Sequence, residues 1–253
     1  MVLTAKPARV YVLVAIMGIS IFLLIKFRPF RPTGRIGEKA IRDFSILYRQ
    51  TLQVYQRTSW LGTKIQQTPT DMWALQEIIA EQKPDFVIET GTLKGGSALF
   101  FATVFHAFKD SGRVITVNIE KQTDPATEAL PIFQEHVLQI IGDASSEETV
   151  RKIADIVQGR PALVMIDDYH DWRHVLKELP LYAAFVPRGG YLILCDTNYD
   201  TYAPQEIYPD GGPLKAALKY LEAGAPFEID RGPEKYLLTF FPMGFLRRVR
   251  DAP

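Results

Sequence analysis

Short apolar runs alternate with mixed polar and apolar stretches through the middle of the chain. The apolar runs predict strands at residues 86–89, 114–119, 137–141, 162–166 and 191–194. The stretches between and after them predict helices at residues 97–108, 126–135, 147–157, 172–185 and 213–222. Near-continuous apolar strands separated by helices are typical of a parallel sheet that is covered on both faces.

Two more apolar segments, residues 227–229 and 236–240, follow the last predicted helix and are joined by a polar loop. They predict an antiparallel hairpin at the C-terminal end. The predicted fold class is therefore α/β and Rossmann-like, with a seven-stranded, mostly parallel sheet that ends in this hairpin. Ligands of such open sheets bind beyond the carboxyl ends of the strands, so the chemistry is expected there.

An uncharged apolar run at residues 10–25 is followed by the basic segment KFRPFRP. The run is shorter than the ~20 residues that cross a bilayer. Its neighbours Ala8 and Phe27 can extend it, and Lys26 and Arg28 can reach the membrane surface. A cleaved signal peptide would need small residues after the run. We therefore predict an N-terminal transmembrane helix.

Positive charges are more numerous after this run than before it, which predicts that the C-terminal side stays cytoplasmic. The expected organisation is a membrane anchor at residues 1–28, a juxtamembrane linker and helix at 29–69, and a catalytic domain at 70–253. The expected location is the membrane, single-pass, with the catalytic domain in the cytoplasm. The one cysteine, Cys195, excludes an intrachain disulfide and suits a reducing compartment.

The amino-acid composition indicates one globular core and disfavours a nucleic-acid partner. The 253 residues are 47% hydrophobic, which is enough for one sizeable core. Lys and Arg together number 29, as do Asp and Glu, so the formal net charge is zero. The chain lacks the overall positive field that attracts nucleic acid, and no nucleic-acid partner is expected.

The turn after the first predicted strand reads ETGTLKGGS at residues 89–97. Gly91 and Gly95 let the backbone approach a ligand, and the helix that begins near Ser97 offers N–H groups to a carboxylate. Glu89 suits an ammonium group, so the turn predicts a cofactor that carries an amino acid. The spacing is neither GxGxxG nor GxxxxGK[ST], which disfavours a nicotinamide oxidoreductase and a P-loop enzyme. The alternative is a turn that binds nothing.

Acidic residues also follow the second and third predicted strands. Glu120 can accept hydrogen bonds from the two ribose hydroxyls of a nucleoside. Asp143 is placed to meet an adenine amino group, although Asp143 or Ser145 can equally cap the next helix. Glu120 and Asp143 are therefore candidate cofactor ligands.

The fourth and fifth predicted strands lead into Asp167 and Asp196, and His170 lies close behind Asp167. Two carboxylates in one cleft repel each other unless a cation or a proton lies between them, which predicts Mg²⁺ or a similar hard cation. His170 is the candidate general base. The alternative is that both acids cap helices. The HDWRH segment at 170–174 resembles a zinc-binding HExxH helix but has no evident third ligand, so zinc is disfavoured.

Several ordered motifs resemble the cephalosporin hydroxylase family, which also contains rhamnosyl O-methyltransferases. The motifs are WLG at 60–62, PTDMW at 69–73, PDFVIETGT at 84–92, GGS at 95–97, DGGP at 210–213, FEIDR at 227–231 and LLTF at 237–240. The resemblance implies a class I methyltransferase fold, S-adenosylmethionine, and a Mg²⁺ site at Asp167 and the pair 195–196. The family usually has Glu-Asp at that pair. Here Cys195 replaces the first acid, and a thiolate is a poor ligand for Mg²⁺. Water or Asn198 could fill that ligand position instead.

The resemblance also implies methyl transfer to a hydroxyl of a sugar, a glycolipid or a related small molecule. The roles that we predict from the residues are Glu89, Gly91, Gly95 and Ser97 for the methionine part, Glu120 for the ribose, Asp143 for the adenine, His170 and Asp167 for catalysis, and Asp167 and Asp196 for the metal. A rival is a membrane-tethered cofactor-binding protein with the same fold and no turnover, which the substitution at Cys195 favours. Monomer and homo-oligomer are both left open.

Overall fold

The computed structural model describes residues 34–108, 111–202 and 208–251. The described chain begins with α1 (Gly34–Ile46), which continues into a π-helical turn at Leu47–Thr51 and then a 3₁₀ turn at Val54–Arg57. A small antiparallel hairpin follows, formed by β1 (Ser59–Trp60) and β2 (Thr63–Lys64). These segments precede the main sheet.

The main sheet has seven strands, and the five strands predicted before the hairpin alternate with helices. The strands are β3 (Phe86–Thr90), β4 (Arg113–Asn118), β5 (Val137–Ile141), β6 (Ala162–Ile166), β7 (Tyr191–Leu194), β8 (Phe227–Ile229) and β9 (Phe245–Arg248). The helices are α2 (Pro69–Gln82), α3 (Gly96–Ala107), α4 (Pro125–Glu128), α5 (Pro131–His136), α6 (Glu147–Val157), α7 (Trp172–Ala183), α8 (Asn198–Thr201) and α9 (Pro213–Glu222). The strand order is β5-β4-β3-β6-β7-β9-β8. Strands β3 to β7 are parallel, and β9 is antiparallel to both of its neighbours.

Consecutive strand residues point to opposite faces of the sheet, and an apolar cluster buries each face. Val87 of β3 packs in one apolar cluster with Leu75 of α2 and Phe101 of α3. Ile88, the next residue, packs in a second cluster with Leu179 of α7. Each such fully buried side chain contributes about 1.5–3 kcal/mol to folding. The two helical layers leave the carboxyl ends of the central strands as the place where a ligand can bind.

The C-terminal hairpin is present, but its second strand is not the predicted one. Strand β8 pairs with β9, whereas residues 236–240 lie in the connection between them. The N–H of Phe240 donates to the buried carboxylate of Asp71 at 2.8 Å. The side chain of Asp71 thus accepts the backbone N–H that Phe240 would otherwise donate to a neighbouring strand. The apolar segment therefore packs as a loop beside α2.

The expectation of a transmembrane helix, and with it a single-pass membrane location, is corrected. None of the helices in the three described ranges is both long and apolar enough to cross a membrane. The longest of these α-helices, α2, has 14 residues, against the ~20 that a bilayer requires. The predicted anchor at residues 1–28 lies outside the described residues. The prediction of a Rossmann-like, mostly parallel seven-stranded sheet is confirmed, whereas the prediction of a membrane-crossing helix is not.

Candidate active site

A cavity of about 440 Å³ lies at the carboxyl ends of the central strands. Its volume is in the range of small-molecule sites. Of the predicted site residues, its wall includes Gly91, Ser97, Asp143, Asp167, His170 and Asp196. Glu89, Gly95 and Glu120 are outside the wall. The strand ends therefore bring most of the predicted chemistry to one place, as the parallel topology requires.

The glycine turn forms one side of the cavity. Gly91 has a φ of 89°, and a Cβ at this position would lie 2.1 Å from the carbonyl oxygen of Asp167. Gly95 has a φ of 83° and is the N-cap residue of α3. Gly96 and Ser97, in the first turn of α3, line the cavity. The unpaired N–H groups of this helix end thus meet the cavity, where they suit a carboxylate.

Glu89 is buried beneath this turn. Its Oε1 accepts a hydrogen bond from the hydroxyl of Thr116 at 2.8 Å, and its side chain has no exposed surface. Burial raises the pKa of Glu89 to about 7, against the lowering effect of hydrogen bonds from Thr116 and Ser97. A cationic ligand nearby would favour the ionised carboxylate.

The two predicted ligands for the nucleoside are placed differently. Asp143 lines the cavity, and its Oδ1 accepts hydrogen bonds from the backbone N–H and the hydroxyl of Ser145, each at 2.8 Å. Glu120 lies two residues beyond β4, is exposed, and accepts a hydrogen bond from Gln122 at 2.6 Å. Asn118, the last residue of β4, lines the cavity instead. The sequence contained a signal for this role, because Asn118 is the polar residue next to the end of the predicted strand 114–119.

His170 and Asp196 form a pair that follows β6 and β7, on the other side of β3 from the nucleoside residues of β4. The Nε2 atom of His170 lies 3.2 Å from Oδ2 of Asp196. Burial lowers the pKa of His170, but the hydrogen bond and charge of Asp196 and the charge of Asp167 outweigh it, so the pKa is raised above its usual value. Burial raises the pKa of Asp196. The hydrogen bond and charge of His170 and the charge of Arg49 outweigh this effect, so the pKa of Asp196 lies below its usual value. The arrangement is that of an imidazole base supported by a carboxylate.

Two residues without a predicted role complete this side of the cavity. Arg49, from the π-helical turn after α1, donates from Nη2 to Oδ2 of Asp196 at 3.2 Å. Gln67 donates from Nε2 to Oδ2 of Asp167 at 2.7 Å. Arg49 and Asp196 are 147 residues apart in the sequence. No local pattern in the sequence could indicate such a contact.

The residues at the predicted metal position do not fit the Mg²⁺ site that the family resemblance implies. Cys195 is fully buried, and burial raises the pKa of its thiol well above the usual value. It is therefore a neutral sulfur where Mg²⁺ prefers an anionic oxygen. Among the described residues, no group of three His, Cys, Asp or Glu ligand atoms within 4.8 Å of one another includes Asp167 or Asp196. Each of the two carboxylates is already engaged by a donor from elsewhere in the chain.

The two histidines of the HDWRH segment face different carboxylates. His170 precedes Asp171, the N-cap residue of α7, whereas His174 lies within that helix. Nε2 of His174 is 3.0 Å from Oδ2 of Asp168 and 3.7 Å from Oε2 of Glu178. The histidines therefore do not share one helical face as they do in HExxH.

The chain is similar to known proteins in sequence and in fold. The sequence matches the family described as Rhamnosyl O-methyltransferase/CmcI over residues 52–249. The rhamnosyl O-methyltransferase of Mycobacterium leprae is 32% identical over 225 residues, which cover 87% of this chain and 93% of that protein. A protein of the same description from Mycobacterium bovis is 29% identical over 226 residues and 87% of each chain.

Solved structures show the same fold. A CmcI structure with Mg and S-adenosylmethionine has a TM-score of 0.58 at 17% identity and covers 77% of this chain and 78% of its own. An apo-structure of CmcI has a TM-score of 0.57 at 17% identity and covers 78% of each chain. The fold, the ordered motifs and the relatives agree, and the chain belongs to the rhamnosyl O-methyltransferase/CmcI family of S-adenosylmethionine-dependent methyltransferases.

Proposed function

We propose that this chain transfers the methyl group of S-adenosylmethionine to a hydroxyl of a sugar, with a rhamnosyl glycolipid as the first acceptor to test. The observation that carries the proposal is that the glycine turn and the His170–Asp196 pair line one cavity. A donor at the turn and an acceptor at the histidine would therefore meet. The choice of sugar follows the rhamnosyl O-methyltransferases to which the chain is similar.

The donor is held by the glycine turn and by the ends of β4 and β5. The N–H groups at the start of α3 bind the methionine carboxylate, and the turn at Gly91 and Gly95 gives the ligand its close approach. Glu89 supplies negative charge for the ammonium group from beneath the turn. Glu120 is proposed for the ribose and Asp143 for the adenine. Holding donor and acceptor in line supplies a large part of the rate.

The acceptor is activated by His170. Because Nε2 of His170 faces Asp196, the other ring nitrogen, Nδ1, is the atom that takes the hydroxyl proton. The acceptor oxygen forms a bond to the methyl carbon as the sulfur–methyl bond breaks, and the sulfur keeps the bonding electrons. Asp196 stabilises the imidazolium that results, and Asp167 lines the same wall. General-base help of this kind contributes about 10²–10⁴ in rate.

The experiment is a transfer assay with labelled S-adenosylmethionine and a purified rhamnosyl glycolipid. The control acceptor is the same lipid with every sugar hydroxyl already blocked. We expect label and the mass of one added methylene in the free lipid alone, with loss of transfer in His170→Ala. Cofactor binding without transfer to sugar hydroxyls would contradict the proposal and favour a binding protein with this fold.

A further inference from the structure

Arg49 is a buried cation in the wall of the active site. Its side chain is 8% exposed, and its guanidinium lies over the ring of Tyr199, with 3.7 Å between the guanidinium carbon and the ring centroid. The rings of Phe240 and Tyr55 lie 5.4 Å and 5.8 Å from the same carbon. A guanidinium stacked on aromatic faces is held in place and keeps its charge at every physiological pH.

The carboxylate of Asp196 is the acidic partner of this cation. Nη2 of Arg49 lies 3.2 Å from Oδ2 of Asp196, the same oxygen that faces His170. Mg²⁺ would coordinate that oxygen at about 2.1 Å. A divalent cation so close to a fixed guanidinium would be repelled strongly in a partly buried site. The cysteine at position 195, where the family has an acid, and the guanidinium of Arg49 therefore both disfavour a divalent cation at Asp196.

We propose that the guanidinium of Arg49 takes the place of the divalent cation in this chain, so that methyl transfer proceeds without a metal. The inference rests on the proposed function. Arg49 acts through Asp196: it balances the carboxylate charge, fixes the side chain behind His170 and leaves Nδ1 of the imidazole for the acceptor. It is a positioning residue.

Metal binding is tested without any acceptor. Mn²⁺ serves as a paramagnetic stand-in for Mg²⁺ and is titrated against the metal-stripped protein, with bound Mn²⁺ measured by electron paramagnetic resonance. We expect no Mn²⁺ at this site in the native protein. We expect the double variant Arg49→Gln with Cys195→Glu to bind one Mn²⁺ that is lost again with Asp196→Asn. Native protein that binds Mn²⁺ in a manner abolished by Asp196→Asn would overturn the inference.

Turnover is tested in the same preparations. We expect native activity to be equal in EDTA and in Mg²⁺, and Arg49→Met to lower kcat about tenfold or more while the Kd for S-adenosylmethionine stays the same. Arg49→Lys, which keeps the charge, should retain more activity than Arg49→Met. The matched control is Arg42→Met, an exposed arginine of α1 outside this cavity. Activity that disappears in EDTA and returns with Mg²⁺ would refute metal independence.

The two proposals fail in different ways. If no sugar hydroxyl is methylated in either buffer, the proposed function fails, and the Mn²⁺ titration still decides whether Arg49 excludes a divalent cation. If methylation occurs only with Mg²⁺, the function stands and the inference about Arg49 falls. Circular dichroism of each variant confirms that the fold is intact before either result is interpreted.

Discussion

Nε2 of His170 lies 3.2 Å from Oδ2 of Asp196, although the two residues follow different strands. Strands β6 and β7 are parallel neighbours, with Ile166 opposite Leu194. Residues that follow two such strands emerge at the same edge of the sheet, so the topology itself creates the pair. The pairing makes His170 a stronger base than an isolated histidine, because it raises the pKa of the imidazole.

Removing the imidazole should stop the chemistry and spare the cofactor. We expect His170→Ala to lower kcat by about 10²–10⁴, the range for general-base catalysis. The Kd for S-adenosylmethionine, measured by calorimetry, should stay within about twofold of the native value because His170 lies at the acceptor end of the cavity. The control is His106→Ala, an exposed histidine at the far end of α3. Native turnover in His170→Ala would remove this residue from the mechanism.

The dependence of rate on pH should report the raised pKa of His170. Only the neutral imidazole can accept a proton, so kcat/KM should rise with pH and level off above the pKa of the free enzyme. Because Asp196 and Asp167 raise this pKa, we expect the midpoint above the ordinary histidine value of about 6.5.

The variant Asp196→Asn provides the check on that assignment. It removes the negative charge of Asp196 and leaves a neutral, weaker acceptor beside His170, so the pKa of His170 should fall, the midpoint should move to lower pH and the maximal rate should decrease. A midpoint that is the same in the native protein and in this variant would show that another group controls the rate.

The central sheet could be predicted because its signals are local. Strand β6 (Ala162–Ile166) is a continuous apolar run, and all five of its residues are buried. This apolar run is followed directly by a polar residue that can take part in catalysis, Asp167. Parallel order then brings those ends together without any knowledge of the loops.

Contacts between distant segments could not be predicted in this way. Arg49 reaches Asp196 from the π-helical turn at Leu47–Thr51, 147 residues earlier in the chain. The segment at 236–240 has the apolar character of a strand, but a hydrogen bond to Asp71 holds Phe240 in a loop. In both cases a side chain far away in the sequence decides the outcome, and periodicity carries no information about it.

The end of β4 offers a choice between two candidate ligands for the nucleoside. Asn118 lines the cavity, whereas the predicted Glu120 is exposed beyond it. If the nucleoside is bound by the residue that lines the cavity, Asn118→Ala should weaken S-adenosylmethionine binding by about 0.5–1.5 kcal/mol, the value of an ordinary hydrogen bond. Glu120→Ala should then weaken it less. Calorimetry on both variants decides, and a larger loss in Glu120→Ala would restore the sequence-based assignment.

Cofactor affinity should depend on the ionisation of Glu89. Its pKa of about 7 means that it is protonated in acid and ionised in base, and only the ionised form attracts an ammonium group. Affinity for S-adenosylmethionine should therefore rise as the pH increases through about 7. Glu89→Gln should lose about 1.5–3 kcal/mol of binding at high pH and much of the pH dependence. A native affinity that is constant across this range would contradict the role of Glu89.

The close approach of Gly91 to Asp167 can be tested by substitution, because Gly189 provides a matched control in the same chain. Gly91 and Gly189 have φ values of 89° and 82°, so alanine at either position adopts a disfavoured backbone conformation that costs about 1–2 kcal/mol. Of the two, only Gly91 would bring the new Cβ against backbone, the carbonyl oxygen of Asp167 at 2.1 Å, whereas nothing lies within 4 Å at Gly189. Urea unfolding should therefore show a clearly larger loss of stability for Gly91→Ala than for Gly189→Ala. Equal losses would mean that the turn after β3 does not approach the end of β6 as closely as this contact requires.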